Sequence, residues 1–177
     1  MASVVLFRAV NVGGHQKFHP AKLAADLAEF GVINIGAAGT LVVCGNVSQA
    51  KLRAEILHRL PFKPELMICP AREVLALAKS GWIRDAPAGK EVGRFVSVLQ
   101  QAPRNHPPLP IEQPAGAKWE VRLVAITGRF VLSLRRIGQT YSNAVVEKHL
   151  GVSATTRNWH TIETICEILK QRSTAHS

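Results

Sequence analysis

The sequence predicts an α+β protein: a ferredoxin-like plait (β-α-β-β-α-β) with a second, incomplete α+β half packed on it. Three observations predict this. The first 70 residues alternate strand-like apolar runs with helix-period runs in the split βαβ order. The 177 residues are 47% apolar and only 19% charged, a globular composition. The second half is less regular, and five prolines between 103 and 114 interrupt it. The expected halves are 1–80 and 81–177, with no linker beyond residues 79–81.

Each element has a local reason. Residues 4–10 read as a strand, with Val4, Leu6, Arg8 and Val10 on one face and Val5, Phe7 and Ala9 on the other. A loop follows over 11–19. Pro20 suits a first helical turn, and Leu23, Leu27 and Phe30 recur at i, i+4, i+7. A helix over 20–30 is therefore predicted, stopped by Gly31. Residues 32–35 form a short strand, 36–39 a turn, and 40–46 an apolar strand ending in Cys44, Gly45 and Asn46. Ser48 can cap a helix running to about residue 60, with Leu52, Ile56 and Leu60 on its buried side. Residues 65–69 are the fourth strand. Right-handed crossovers are expected to set the first and third strands side by side and parallel. That arrangement would bring the loops at 11–14 and 44–46 to one sheet edge.

In the second half, 72–79 reads as a helix and 95–99 as a strand. Prolines remove backbone donors, so 103–116 is expected to be exposed and free of strand. Residues 119–126 and 130–135 form a hairpin across 127–129. Ser142 can cap a helix to Leu150, ended by Gly151, and a final helix covers about 158–171.

Charge narrows the function classes. The net charge is +10. Residues 1–80 hold nine Lys/Arg against five Asp/Glu, and 81–177 hold thirteen against seven, so the excess is spread along the chain. Such a field favours an anionic partner: nucleic acid, a nucleotide or an acidic small molecule. It also fits a merely basic, soluble protein. No apolar run approaches the ~20 residues of a membrane span, so no membrane partner is expected. The N-terminus lacks a basic n-region, so no secretory leader is expected. The three cysteines, Cys44, Cys69 and Cys166, are far apart with no CxxC, which fits a reduced cytoplasmic setting without zinc.

The segments RAVNVGG (8–14), GNV (45–47) and LGVSATTRNWHT (150–161) resemble the three signature segments of the bacterial family known as domain of unknown function 1697. The usual forms there are RGINVGG, QSGNV and LGVPATTRNWNT. Val43 and Cys44 stand in place of Gln-Ser, and His160 in place of Asn. Residues 139–141 replace a stretch, usually Arg-Ser-Lys-Leu, that would carry basic charge. The resemblance implies an α+β plait and a bacterial cytosolic protein. It implies no activity.

Candidate residues carry two readings each. Gly13 and Gly14 form either a tight turn or a set of backbone N–H groups facing an anion, without a P-loop or GxGxxG pattern. Arg8 in a central strand must be paired, hydrated or occupied by an anion. Asn11 and Asn46 either close Asx-turns or face a ligand. Thr155 and Thr156 suit an N-cap of the last helix, and Arg157 and Asn158 beside them suit an anion cradle. Cys44 is either a small strand residue or a thiol activated by a following helix. His15, His19 and His160 could act as acid or base, but no pattern joins them. No metal or cofactor motif is present.

The candidate site is thus Arg8, Asn11, Gly13, Gly14 and Asn46 at the strand ends, closed by Thr155, Thr156, Arg157 and Asn158. Two classes remain: a binding protein for an anionic small molecule or nucleic acid, and an enzyme acting on a small anionic substrate. A deep pocket would favour the enzyme, and a shallow basic face would favour nucleic acid. A structural or interaction role, with the proline segment at an interface, is the third possibility. Oligomeric state is not encoded in any motif.

Overall fold

An apolar residue at every position from Val4 to Phe7 requires cover on both faces of that strand, and a central place in a sheet supplies it. The computed structural model describes residues 2–8, 10, 18–81, 89–138 and 143–174. It is an α+β protein with two antiparallel sheets. The chain separates into two compact units, Met1–Ala76 with Glu163–Ser177, and Leu77–Ile162.

The first unit holds β1 (Ser3–Arg8), α1 (Pro20–Asp26), a 3-10 turn (Ala28–Phe30), β2 (Val32–Asn34), β3 (Thr40–Val43), α2 (Gln49–Arg59) and β4 (Glu65–Pro70). Its sheet order is β2-β3-β1-β4. Val5, Phe7, Leu41, Val43, Leu66 and Ile68 share a core cluster with Leu23 and Leu27 and with Leu52 and Ile56 of α2. Phe18 closes that core, stacked 4.8 Å from Phe7. Pro20 opens α1, Gly31 ends the 3-10 turn in the left-handed region, and Ser48 Oγ caps α2 by accepting from Lys51 N at 3.2 Å.

One expectation for this sheet fails. β1 and β3 are neighbours but antiparallel, with Ser3 opposite Val43 and Leu6 opposite Thr40. The turn at 36–39 reverses the chain, so β3 opposes β2, while the α1 crossover gives β2 the direction of β1. A strand inserted between the two must oppose both.

The second unit carries β5 (Val92–Leu99), β6 (Ile111–Gln113), β7 (Val121–Thr127), β8 (Phe130–Arg136), α4 (Asn143–Leu150) and β9 (Ala154–Asn158). Its sheet order is β6-β7-β8-β5-β9. Leu99, Val121, Leu123 and Val131 pack with Val146 and Leu150 of α4 on one face. On the other face Trp119 covers Leu134, with Val92 and Val124 against it. No helix separates the first four strands of this unit. The proline segment occupies the place where a crossover helix would stand.

That segment also differs from expectation, because β6 is a short strand within 103–116 and pairs with β7. Its three residues lie between Pro110 and Pro114, keep their own N–H groups and sit at the sheet edge, where flanking prolines are tolerated. Pro103 is buried.

α3 (Ala71–Lys79) and α5 (Trp159–Thr174) complete the chain. Residues from Glu163 onward belong to the first unit, whereas the sequence division left them in the second half. Ile165, Cys166 and Leu169 are buried, and Cys166 Sγ lies 3.9 Å from Val74 O. Among the described residues no helix is long and apolar enough to cross a membrane.

Two glycines of the 36–39 turn separate backbone cost from steric cost. Both have positive φ, +66° at Gly36 and +68° at Gly39. A Cβ at Gly36 would meet nothing within 4 Å, whereas one at Gly39 would stand 2.7 Å from Phe7 Cβ. Gly36→Ala is expected to cost about 1–2 kcal/mol for the left-handed backbone. Gly39→Ala is expected to add about 1–3 kcal/mol of overpacking to that. Urea denaturation of the two variants checks the order, and equal losses would contradict it.

Candidate functional site

Each candidate residue must be weighed by what it already touches. Arg8 ends β1 directly opposite Glu65 of β4, and Arg8 Nη1 donates to Glu65 Oε2 at 3.3 Å. Both side chains are about 30% exposed, so the pair is worth roughly 0.2–1 kcal/mol. The guanidinium is held by a carboxylate of its own sheet.

Asn46 does not share that edge. Antiparallel pairing puts the end of β3 beside Ser3, five residues along β1 from Arg8. At ~3.4 Å per residue that is about 17 Å. Strand pairing therefore does not bring Arg8 and Asn46 to one sheet edge. Asn11, Gly13 and Gly14 lie outside the described residues. Gly45 has a structural reason: its N–H donates to Phe30 O at 2.8 Å, and a Cβ there would meet that oxygen at 2.6 Å.

Thr155 and Thr156 are not the cap of the last helix. They lie in β9, opposite Val98 and Ser97 of β5, where β-branched residues fit the pleat. The Thr156 hydroxyl donates to Asn143 Oδ1 at 2.8 Å and stands 2.7 Å from Ser97 Oγ. Asn158 is the cap, its Oδ1 accepting from Thr161 N at 2.8 Å. Arg157 is 8% exposed and donates to Thr155 Oγ1 and Thr156 O, each at 2.9 Å. Burial pushes its pKa down to about 10. Thr155 and Thr156 thus tie β9 to β5, Arg157 folds back on its own strand and Asn158 opens the last helix.

The first unit offers an open cleft of about 170 Å³ beside Phe18, His19, Lys22, Asp26 and Arg59. Arg59 pairs with Glu55 and, at 3.7 Å, with Glu29, and Asp26 offsets Lys22. Its charge is thus nearly balanced. His15 lies outside the described residues, His19 is exposed in the first unit, and His160 sits in the first turn of α5. Among the described residues no three His, Cys, Asp or Glu side chains gather as a metal site.

The second unit gathers cations at one end of its sheet. This unit holds twelve Lys/Arg against five Asp/Glu, a net +7 of the chain's +10. The register aligns the start of β5 and β7 with the ends of β6, β8 and β9. Arg94, Arg122 and Arg136 lie on the face that carries Leu134 and Trp119, and Arg135 lies on the opposite face. The Arg122 and Arg136 guanidinium carbons stand 4.3 and 4.8 Å from the Trp119 ring centre. Arg135 stands 4.4 Å from the Phe95 ring, which leans across Gly93.

Their hydrogen bonds differ. Arg122 Nη2 pairs with Glu112 Oε1 at 2.7 Å, and Arg136 Nη2 donates to Ala117 O at 2.9 Å. Among the described residues the Arg135 guanidinium has no carboxylate or hydrogen-bond acceptor, and its Nε is buried without one. Glu91 and Glu120 precede β5 and β7 at the same end, beside Lys90 and Lys118. Sequence reading missed this set because its members are scattered between 94 and 136. The hint available was the arginine pair at 135 and 136 closing an apolar strand.

The chain matches no protein-family model and no curated protein. Among solved structures it is similar to the conserved bacterial protein SP0830 from Streptococcus pneumoniae. The TM-score is 0.57 at 19% identity, over 95% of this chain and 98% of that one. The two share a fold. At that identity the likeness extends to architecture alone.

Cys44 is a poor nucleophile by its surroundings. Burial pushes its thiol up, and the Arg172 charge offsets only part of the effect. Alkylation by iodoacetamide, followed by peptide mass mapping, is expected to rise steadily beyond about pH 9. Removing a cation raises a thiol pKa, so Arg172→Ala should move the profile to still higher pH. A rate that levels off below about pH 8 would contradict this.

Proposed function

We propose that this protein binds an anionic ligand through the arginine-bearing end of the second unit's sheet. The observation that carries the reading is Arg135: a guanidinium against the Phe95 ring with no anionic partner among the described residues, beside Arg136, in a unit of net charge +7. A guanidinium in that state retains its full demand for a phosphate or carboxylate. Arg8 has met that demand with Glu65, so it stands outside the proposed site. Arginines set along adjacent strand ends suit a phosphate-bearing chain better than a small substrate enclosed for chemistry.

The reading includes membership in the domain of unknown function 1697 family and a cytoplasmic, bacterial setting. The three signature segments support it. The first unit is read as a ferredoxin-like plait, supported by the order β2-β3-β1-β4 and by α1 and α2 sharing one core with that sheet.

Thermal shift with phosphate, nucleotides, polyphosphate and short oligonucleotides tests it, since a ligand of the folded state alone raises the melting temperature. The longer polyanions are expected to stabilise most. For an oligonucleotide, Arg135→Gln and Arg136→Gln should each lower the salt-dependence slope by about 0.7, the single-strand value per contact. Arg8→Gln should bind as the unaltered protein does. No shift with any polyanion, or loss confined to Arg8→Gln, would refute the site.

A further inference from the structure

We infer that the ligand of this rim is single-stranded nucleic acid, its bases stacking on the guanidinium planes of Arg135 and Arg136 while its phosphates meet their N–H edges. The inference rests on the anionic-ligand reading and specifies the ligand's class. A guanidinium has two faces and one donor-bearing edge. The Arg135 guanidinium carbon stands 4.4 Å from the Phe95 ring centre, and that of Arg136 stands 4.8 Å from the Trp119 ring centre. A ring contact restrains the guanidinium before any ligand arrives and reduces the ordering cost of binding. Trp119 is 7% exposed and already flanked by Arg122 and Arg136. Its role is support, so an incoming base meets arginine rather than tryptophan.

Geometry favours a polymer over a mononucleotide. The arginines at this end come from β7, β8 and β5, three adjacent strands. At ~4.8 Å between strands the row extends about 10 Å. Arg94 and Arg136 face one side of the sheet and Arg135 the other, so a chain crossing the rim can meet both. A duplex keeps its bases stacked inside and offers only phosphates to such a rim. A single strand offers both, and guanidinium planes accept unstacked bases.

The test separates stacking from charge. Fluorescence anisotropy would follow a labelled single-stranded RNA and DNA of equal length, the duplex of the same sequence, and inorganic polyphosphate as competitor. Arg135→Lys and Arg136→Lys keep the charge but lose the plane. Each is expected to weaken single-strand binding roughly fivefold or more, the low end of stacking per base. Competition by polyphosphate should change little in the same variants. Phe95→Leu removes the support of Arg135 while leaving its guanidinium, and it should weaken single-strand binding in the same direction. Circular dichroism confirms that each variant folds.

Lysine variants that bind single strands as tightly as the unaltered protein would overturn the inference, as would duplex binding equal to single-strand binding. Either result leaves a purely electrostatic site standing. Absence of binding to every polyanion would remove both readings.

Discussion

A guanidinium cannot be left bare against a sheet, and the way each arginine is satisfied organises this protein. Desolvating the charge without a partner is too costly, so every arginine in contact with the fold needs one. Three kinds of partner are seen among the described residues. Carboxylates hold Arg8, Arg59 and Arg122. Backbone or hydroxyl oxygens hold Arg53, Arg129 and Arg157. Aromatic rings support Arg122, Arg135 and Arg136. Only the first kind cancels the charge. A carbonyl or a ring orients the guanidinium and leaves its field intact. The two units differ in that choice: ten Lys/Arg face seven Asp/Glu in the first, and twelve face five in the second.

The same constraint explains why the most motif-like segment is structural. Gly151, at φ +65°, ends α4, and Glu147 Oε1 of that helix accepts from Ala154 N at 2.9 Å. Gln100 N donates to Ser153 O, Thr156 joins Ser97 to Asn143, Arg157 folds onto Thr155, and Asn158 caps α5. Residues 151–158 thus clasp helix, edge strand and helix together. A sequence this constrained by its own backbone contacts needs no ligand to account for it.

Most of the fold was legible because its signals are local. The i, i+4, i+7 apolar spacing, Pro20, Gly31, Ser48 and the two-residue turn at Gly128 and Arg129 each act within a few residues. Strand direction was misread because it depends on how the α1 crossover and the 36–39 turn combine. β9 was misread because Thr155 and Thr156 suit a cap as well as a strand, and only pairing with β5 decides between them. The return of residues from Glu163 to the first unit has no local sign at all. The candidate site was least legible. Arg8 belonged to an apolar run and looked exceptional, yet its answer lay in Glu65, 57 residues away.

The arginines at the second unit's rim invert that lesson. Each sits among alternating strand residues and looks ordinary in sequence, and only register brings them to one end. Their charge persists there because the sheet supplies rings where a stability argument alone would prefer carboxylates. Arg122 shows the contrast within one contact set, with Glu112 on its edge and Trp119 under its plane. Among the described residues Arg135 has the ring without a carboxylate. A fold that needed only to satisfy Arg135 could have done so with one acidic residue on a neighbouring strand, as it did for Arg8 and Arg122. The Phe95 ring restrains the guanidinium and leaves its charge uncancelled.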